Sequence, residues 1–273
     1  MKLYSAVVAS LLLLPTSLSA VELKPETVAA WDQYIAKLEA SWVPRFNGSR
    51  FIAVNDSAER MQKMKAGEVV VRPSVGKDGE TSLPSGMISD WTGGFFVYGA
   101  TLPQVLAFLQ DYSHHKVTFY PDIVDSAIRK SNPPDEFDVY LKIVKSKYMV
   151  TDYLNSDHKV TWTHPSKTRA YCRSASTRVA EIVNYGTPKE HELPVGNDRG
   201  YVWRMNGYWF VEERDGGVYV EYETITLSRD IPSLLGKVLG PILHSVPPEA
   251  LHLSLEKCKK GILATLPQTI RAN

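Results

Sequence analysis

Alternation of apolar and polar positions is clearest between Tyr201 and Ser228, where YVWRMNGYWFVEER and GVYVEYETITLS flank Asp215 and Gly216. Asp-Gly between two β-rich runs predicts a two-residue hairpin, because both central residues of a type I′ turn need positive φ. That turn sets Arg214 against Gly217 and Glu213 against Val218, and strand alternation then fixes both faces. One face carries Trp203, Met205, Gly207, Trp209 and Val211 opposite Val218, Val220, Tyr222, Thr224 and Thr226. The other carries Arg204, Asn206, Tyr208, Phe210 and Glu212 with Tyr219, Glu221, Glu223 and Ile225. The first face is the more apolar and needs a cover. The second mixes aromatics with charge, and Glu221 and Glu223 read there as an outward, solvated side.

Helical periodicity marks both ends of the chain. Val28, Trp31, Ile35, Leu38 and Trp42 recur on one face of a helix expected over 26–42, with Pro25 near its start and Pro44 stopping it. A second helix is expected over 57–66, ended by Gly67. Thr101 caps a third over 102–112, with Pro103 in its first turn. The last helix, over 249–264, shows the stripe Leu251, Leu255, Cys258 and Ile262, with Lys257, Lys259 and Lys260 toward solvent. Before it, 229–248 alternates small apolar clusters with Pro232, Gly236, Gly240 and Pro241. That pattern predicts short helical turns that either move over a cavity or form a rigid apolar connection packed on the core.

The remaining segments read as strands and loops. Strands are expected over 51–55, 68–72, 91–98 and 117–123, the last extended by 125–129. More strands follow in 137–154, over 159–163 and over 168–183. Loops are expected over 74–86 and 184–200, and a turn over 155–158. The order is strand, helix, a run of antiparallel strands, then a helix. The stripe of the last helix is the natural cover for the hairpin's apolar face.

Composition narrows the class. The formal charge of the 273 residues is +1, which disfavours a nucleic-acid surface. Lys2, the apolar run from Val7 to Pro15 and the small residues Ser17 to Ala20 predict a secretory signal cleaved near residue 20. The apolar run is too short to span a membrane. A secreted or periplasmic protein follows. In that setting Cys172 and Cys258 either pair or stand as buried thiols.

Motifs for chemistry are sparse. The seven histidines show no HxxxH or HExxH spacing, and neither a metal nor a cofactor is expected. There is no GxSxG elbow and no P-loop. Glu212, Glu213, Glu221 and Glu223 would serve a glycosidase-type pair, but a solvated strand face explains them better. Arg169, Arg173 and Arg178 read as surface arginines; one turned inward would orient a carboxylate or phosphate.

The segments GATLPQVLAFLQDYSHH, NDRGYVWRMNGYWFVEERDGGVYVEYETITLSRDIP and LLGKVLGPILHSVPPEALHLSL resemble exported bacterial members of the START-like (SRPBCC, helix-grip) superfamily. The resemblance covers about 91–266. It implies an α+β fold in which a curved antiparallel β-sheet wraps around a long C-terminal helix, with a hydrophobic cavity between them. Residues 1–20 are then a signal peptide, 21–86 an N-terminal helical and strand extension, and 87–273 the START-like domain. The implied ligand is a lipid or other hydrophobic small molecule, and a carrier of that kind touches membranes transiently. The residues expected at the ligand are Trp203, Met205, Trp209, Val220, Tyr222, Thr224, Trp162, Tyr171, Leu251 and Leu255. A cyclase- or hydrolase-type enzyme using the same cavity is the alternative, as is an interaction domain whose cavity is filled. The superfamily has no shared catalytic motif to carry over.

Overall fold

The computed structural model describes residues 21–54, 56–147, 150–229 and 246–267. The chain runs through β1 (Val21–Glu22), α1 (Pro25–Asn47), α2 (Ala58–Lys65), β2 (Val70–Pro73), β3 (Glu80–Leu83) and β4 (Gly86–Tyr98). Next come α3 (Leu102–Leu109), a 3-10 turn (Tyr112–His114) and α4 (His115–Thr118). Six strands and two short ladders follow: β5 (Ile123–Asn132), β6 (Glu136–Lys147), β7 (Val150–Ser166), β8 (Arg169–Val183), β9 (His191–Glu192), β10 (Asn197–Asp198), β11 (Arg204–Arg214) and β12 (Gly217–Arg229). The C-terminal helix is α5 (Val246–Thr265).

Ten of the strands form one large antiparallel sheet in the order β2-β4-β12-β11-β8-β7-β6-β5, with β3 on β4 and β9 on β8, and β1 pairs separately with β10. The first long strand, β4, thus pairs with the last, β12, and the meander β5 to β8 fills the other side. This is the expected α+β helix-grip arrangement. The hairpin has the expected register, from Arg214↔Gly217 to Arg204↔Leu227. Its turn residues Asp215 and Gly216 take φ of 58° and 77°, as type I′ requires.

Two layers cover the two faces. On one, Leu251, Leu255, Cys258 and Ile262 of α5 are buried against Phe95, Val97, Val218 and Val220. Gly93 admits Leu255 to the sheet: a Cβ there would lie 2.5 Å from the leucine Cδ1. On the other face, Trp31, Ile35 and Trp42 of α1 are buried against Tyr208, Phe210, Tyr219 and Ile225. The ring of Trp42 stands 4.6 Å from Tyr208 and 5.5 Å from Phe210, at steep angles.

The second cover overturns one expectation. Glu212, Glu221 and Glu223 do not face solvent; each is buried beneath the N-terminal segment. Glu221 accepts hydrogen bonds from the Ala53 and Val54 amides at 2.6 and 2.5 Å and pairs with Arg45 at 2.5 Å. Arg45 also donates to the Phe51 carbonyl at 2.7 Å and lies over the Phe210 ring. That anchorage lies in the last turn of α1, where the helix runs past Pro44, which does not stop it, to Asn47. Residues 51–54 form no strand, but Phe51, Ile52 and Val54 are buried as part of this cover.

Other boundaries shift. Residues 80–83 form an edge strand inside the expected loop, and in the strand expected over 117–123 residues 117–118 end a short helix and β5 begins only at Ile123. Residues 155–158 are not a turn but the middle of β7. Helix α3 ends at Leu109, earlier than expected, and 191–192 and 197–198 make short ladders within the expected 184–200 loop. The signal segment and most of the expected mobile segment, 230–245, lie outside the described residues.

Candidate functional site

The gripped face divides into a covered and a half-covered part. Under α5, α3 and α4 lie buried Phe137, Val139, Val160, Trp162 and Cys172. Trp162 donates its indole hydrogen to the Tyr112 hydroxyl at 2.9 Å, which ties the strand to the turn after α3. Farther along the same face, Trp209, Tyr222, Thr224, Met205 and Ser174 remain half-buried. Trp209 and Tyr222, directly paired across the hairpin, stack with ring centroids 4.2 Å apart. Gly207 makes room for them: a Cβ there would stand 2.4 Å from the Tyr222 hydroxyl oxygen. Burial raises the Tyr222 hydroxyl to a pKa of about 12, so it is a neutral donor and acceptor.

Next to this wall runs a row of neutral polar groups. Gly207 pairs with Ser174, and Ser174 pairs with Val160, two residues along the strand from His158. His158 Nδ1 is 3.3 Å from Ser174 Oγ, and its Nε2 is 3.0 Å from Ser156 Oγ. Ser156 donates to the Leu141 carbonyl at 3.2 Å. Burial lowers the His158 pKa to about 4, because the imidazolium would lose its hydration. At one end of the face Arg199 is held between Glu181 at 2.8 Å and Asp152 at 3.0 Å.

The expected ligand residues part company. Trp162, Val220, Leu251 and Leu255 belong to the cluster under α5, and Trp209 and Tyr222 pack against it. Met205 sits by Ile143, Leu154 and Val179 in a small neighbouring cluster. Thr224 is half-buried on the same strand face as Tyr222. Trp203 and Tyr171 do not join them. Trp203 precedes β11, so alternation does not extend to it; it lies in the layer under α1 and donates to Asp198 at 3.0 Å. Tyr171 pairs with Phe210 and therefore shares that strand face, in contact with Trp42 and Phe46. His158, Ser156 and Ser174 were not expected here. Their signal was the polar run Asn155 to His158 in a β-rich stretch, read as a turn.

Both cysteines are free and buried in the cluster under α5. Burial raises both thiols well above the usual range, so neither is a nucleophile as it stands. Arg169 and Arg173 pair with Glu212 and Glu39 on the face under α1, and Arg178 with Glu192. On that face Asp90 and Glu223 share a buried site. Tyr34 donates to Asp90 at 2.6 Å. Burial raises the pKa of Asp90, and burial together with the charge of Asp90 raises that of Glu223 well above the ordinary value. A separate cleft of about 580 Å³ lies where the start of α1 meets Val195 to Asn197 and Arg204, away from the gripped face. Among the described residues, no group of three or more His, Cys, Asp or Glu is placed to hold a metal ion.

No family model matches the chain, and no curated protein matches it. Solved structures do. The protein TTHA0849 from Thermus thermophilus is 13% identical over 64% of this chain and 98% of its own, with a TM-score of 0.45. A STAR-related lipid transfer protein from Xanthomonas axonopodis is 17% identical over 65% and 99%, with a TM-score of 0.41. The Zhui aromatase/cyclase from Streptomyces sp. R1128 is 13% identical over 67% and 98%, with a TM-score of 0.42. At such identities and scores the likeness carries no function, and the strand order speaks for the architecture. With β4 closing on β12 and α5 held against their common face, the chain has the START-like, helix-grip fold.

Proposed function

We propose that this chain is an exported binding or transfer protein for one mostly apolar small molecule, held between the hairpin and the C-terminal helix. The observation that carries the reading is the stacked pair Trp209 and Tyr222, a large aromatic wall left half-buried on a face otherwise sealed by α5. Aromatic walls with a few convergent polar groups are the usual lining of small-molecule sites. Export rests on the first twenty residues, and passage between membranes on the apolar nature of the ligand.

The test is a displacement titration with a fluorescent lipid probe on wild type and Trp209→Phe, together with organic extraction of freshly purified protein. Wild type is expected to bind one probe per chain, and Trp209→Phe to bind several-fold more weakly while melting within a few degrees of wild type. If wild type binds no lipid-like probe and extraction yields none, the reading fails.

A further inference from the structure

The neutral row beside the aromatic wall has a direction. The Leu141 carbonyl can only accept, so the Ser156 hydroxyl spends its hydrogen there. The contact between Ser156 and His158 Nε2 then needs the hydrogen on the nitrogen, which leaves Nδ1 as an acceptor. Nδ1 therefore takes the Ser174 hydroxyl hydrogen. Ser174 is left with acceptor lone pairs only, and of the three it is the half-buried member, beside Gly207 and the Tyr222 ring.

Resting on the carrier reading above, we propose that Ser174 is the polar subsite beside the Trp209–Tyr222 wall and that it accepts a hydrogen bond from a hydroxyl group, so that the ligand is an apolar alcohol. The relay from a backbone carbonyl through Ser156 and His158 sets this preference. An ether or ketone oxygen has no hydrogen to give to Ser174. An ionised carboxylate has none either, and it would also bring a charge against a neutral row; Arg199, at the end of the face, is already paired with Glu181 and Asp152. His158 and Ser156 are positioning residues, because they act on the ligand only through Ser174.

The experiment compares 1-hexadecanol, hexadecyl methyl ether and palmitate as displacers of the fluorescent probe. On wild type the alcohol should bind about 3–10-fold more tightly than its ether, the effect of one hydrogen bond. Ser174→Ala should abolish the difference between the two, and Ser156→Ala should reduce it by freeing the imidazole tautomer. Nitrogen-15 NMR of the His158 ring supplies a readout that needs no variant: the relay requires a neutral ring carrying its hydrogen on Nε2. Equal affinities on wild type, an alcohol preference that survives in Ser174→Ala, or a ring with its hydrogen on Nδ1 would overturn the subsite. Tightest binding by palmitate would overturn it while leaving the carrier reading intact. Failure of all three compounds to bind would remove both.

Discussion

The two faces of the sheet are covered mainly by α5 on one side and by α1 with residues 51–54 on the other, and the covers hide different chemistries. Under α5 the sheet presents Phe95, Val97, Val218 and Val220, then a half-buried stretch of aromatic rings and neutral hydroxyls. Under α1 it presents aromatics interleaved with Asp90, Glu212, Glu221 and Glu223, all buried. A charge taken from water must be paired or protonated. On the α1 side it is: Arg45 meets Glu221, Arg169 and Arg214 meet Glu212, and Tyr34 meets Asp90. Those contacts are all made by the protein itself. The α5 side instead presents Trp209, Tyr222 and Ser174, each half-buried, and the proposed function uses them. Buried carboxylates recur along the α1 side, whereas on the α5 side they stand at one end, where Glu181 and Asp152 hold Arg199; the proposed site is the half-buried neutral stretch.

The comparison breaks most visibly at Glu221. Replacing it with Ala strands Arg45 and two buried amides, so Glu221→Ala should cost about 3–5 kcal/mol in denaturant unfolding. A change within about 1 kcal/mol would mean that the α1 cover does not depend on this pair.

The next effect is on pH. Asp90 and Glu223 both titrate above their ordinary values in the folded chain, so the folded state retains protons that the unfolded chain releases. Their contribution is fully present below the unfolded carboxylate pKa and is lost as pH rises through the raised folded values. The difference in unfolding free energy between wild type and Glu223→Gln should fall as pH rises, because the buried His158 and His115, with lowered pKa values, act in the opposite sense in both proteins. A stability that rises with pH in wild type but not in Glu223→Gln would reverse the sign and contradict the assignment.

A smaller effect concerns the thiols. Native protein should resist thiol reagents, and denatured, unreduced protein should take up two labels, because Cys172 and Cys258 are both free and buried. One label or none after denaturation would show a bond.

The sequence was most legible where local rules decide structure. Asp215 and Gly216 determine a turn, the turn determines a register, and every hairpin pair followed. The stripe of α5 was equally local. What stayed hidden depends on distant partners. Glu221 and Glu223 alternate with aromatics just as a solvated face does; only Arg45, 176 positions away, and the helix carrying it turn that face into an interior. The same limit hid the polar row. Asn155 to His158 has the composition of a turn, yet alternation sends Ser156 and His158 to the gripped face, while Asn155 bonds Tyr140 and Glu192 on the other side. The propensities of four polar residues lost to the pairing of β7 with both of its neighbours. Trp203 and Tyr171 were misplaced for a simpler reason: large aromatic side chains suit either layer, and parity holds only inside a strand.

The most direct test of the division between the faces is photolabelling with a long-chain alcohol that carries a diazirine on its apolar tail, followed by peptide mapping. Crosslinks confined to the gripped face of β11 and β12, at Met205, Trp209 or Tyr222, and competed by 1-hexadecanol, are the predicted result. Crosslinks under α1, at Trp42, Tyr171 or Tyr208, or in the cleft by Val28 and Val195, would contradict the account.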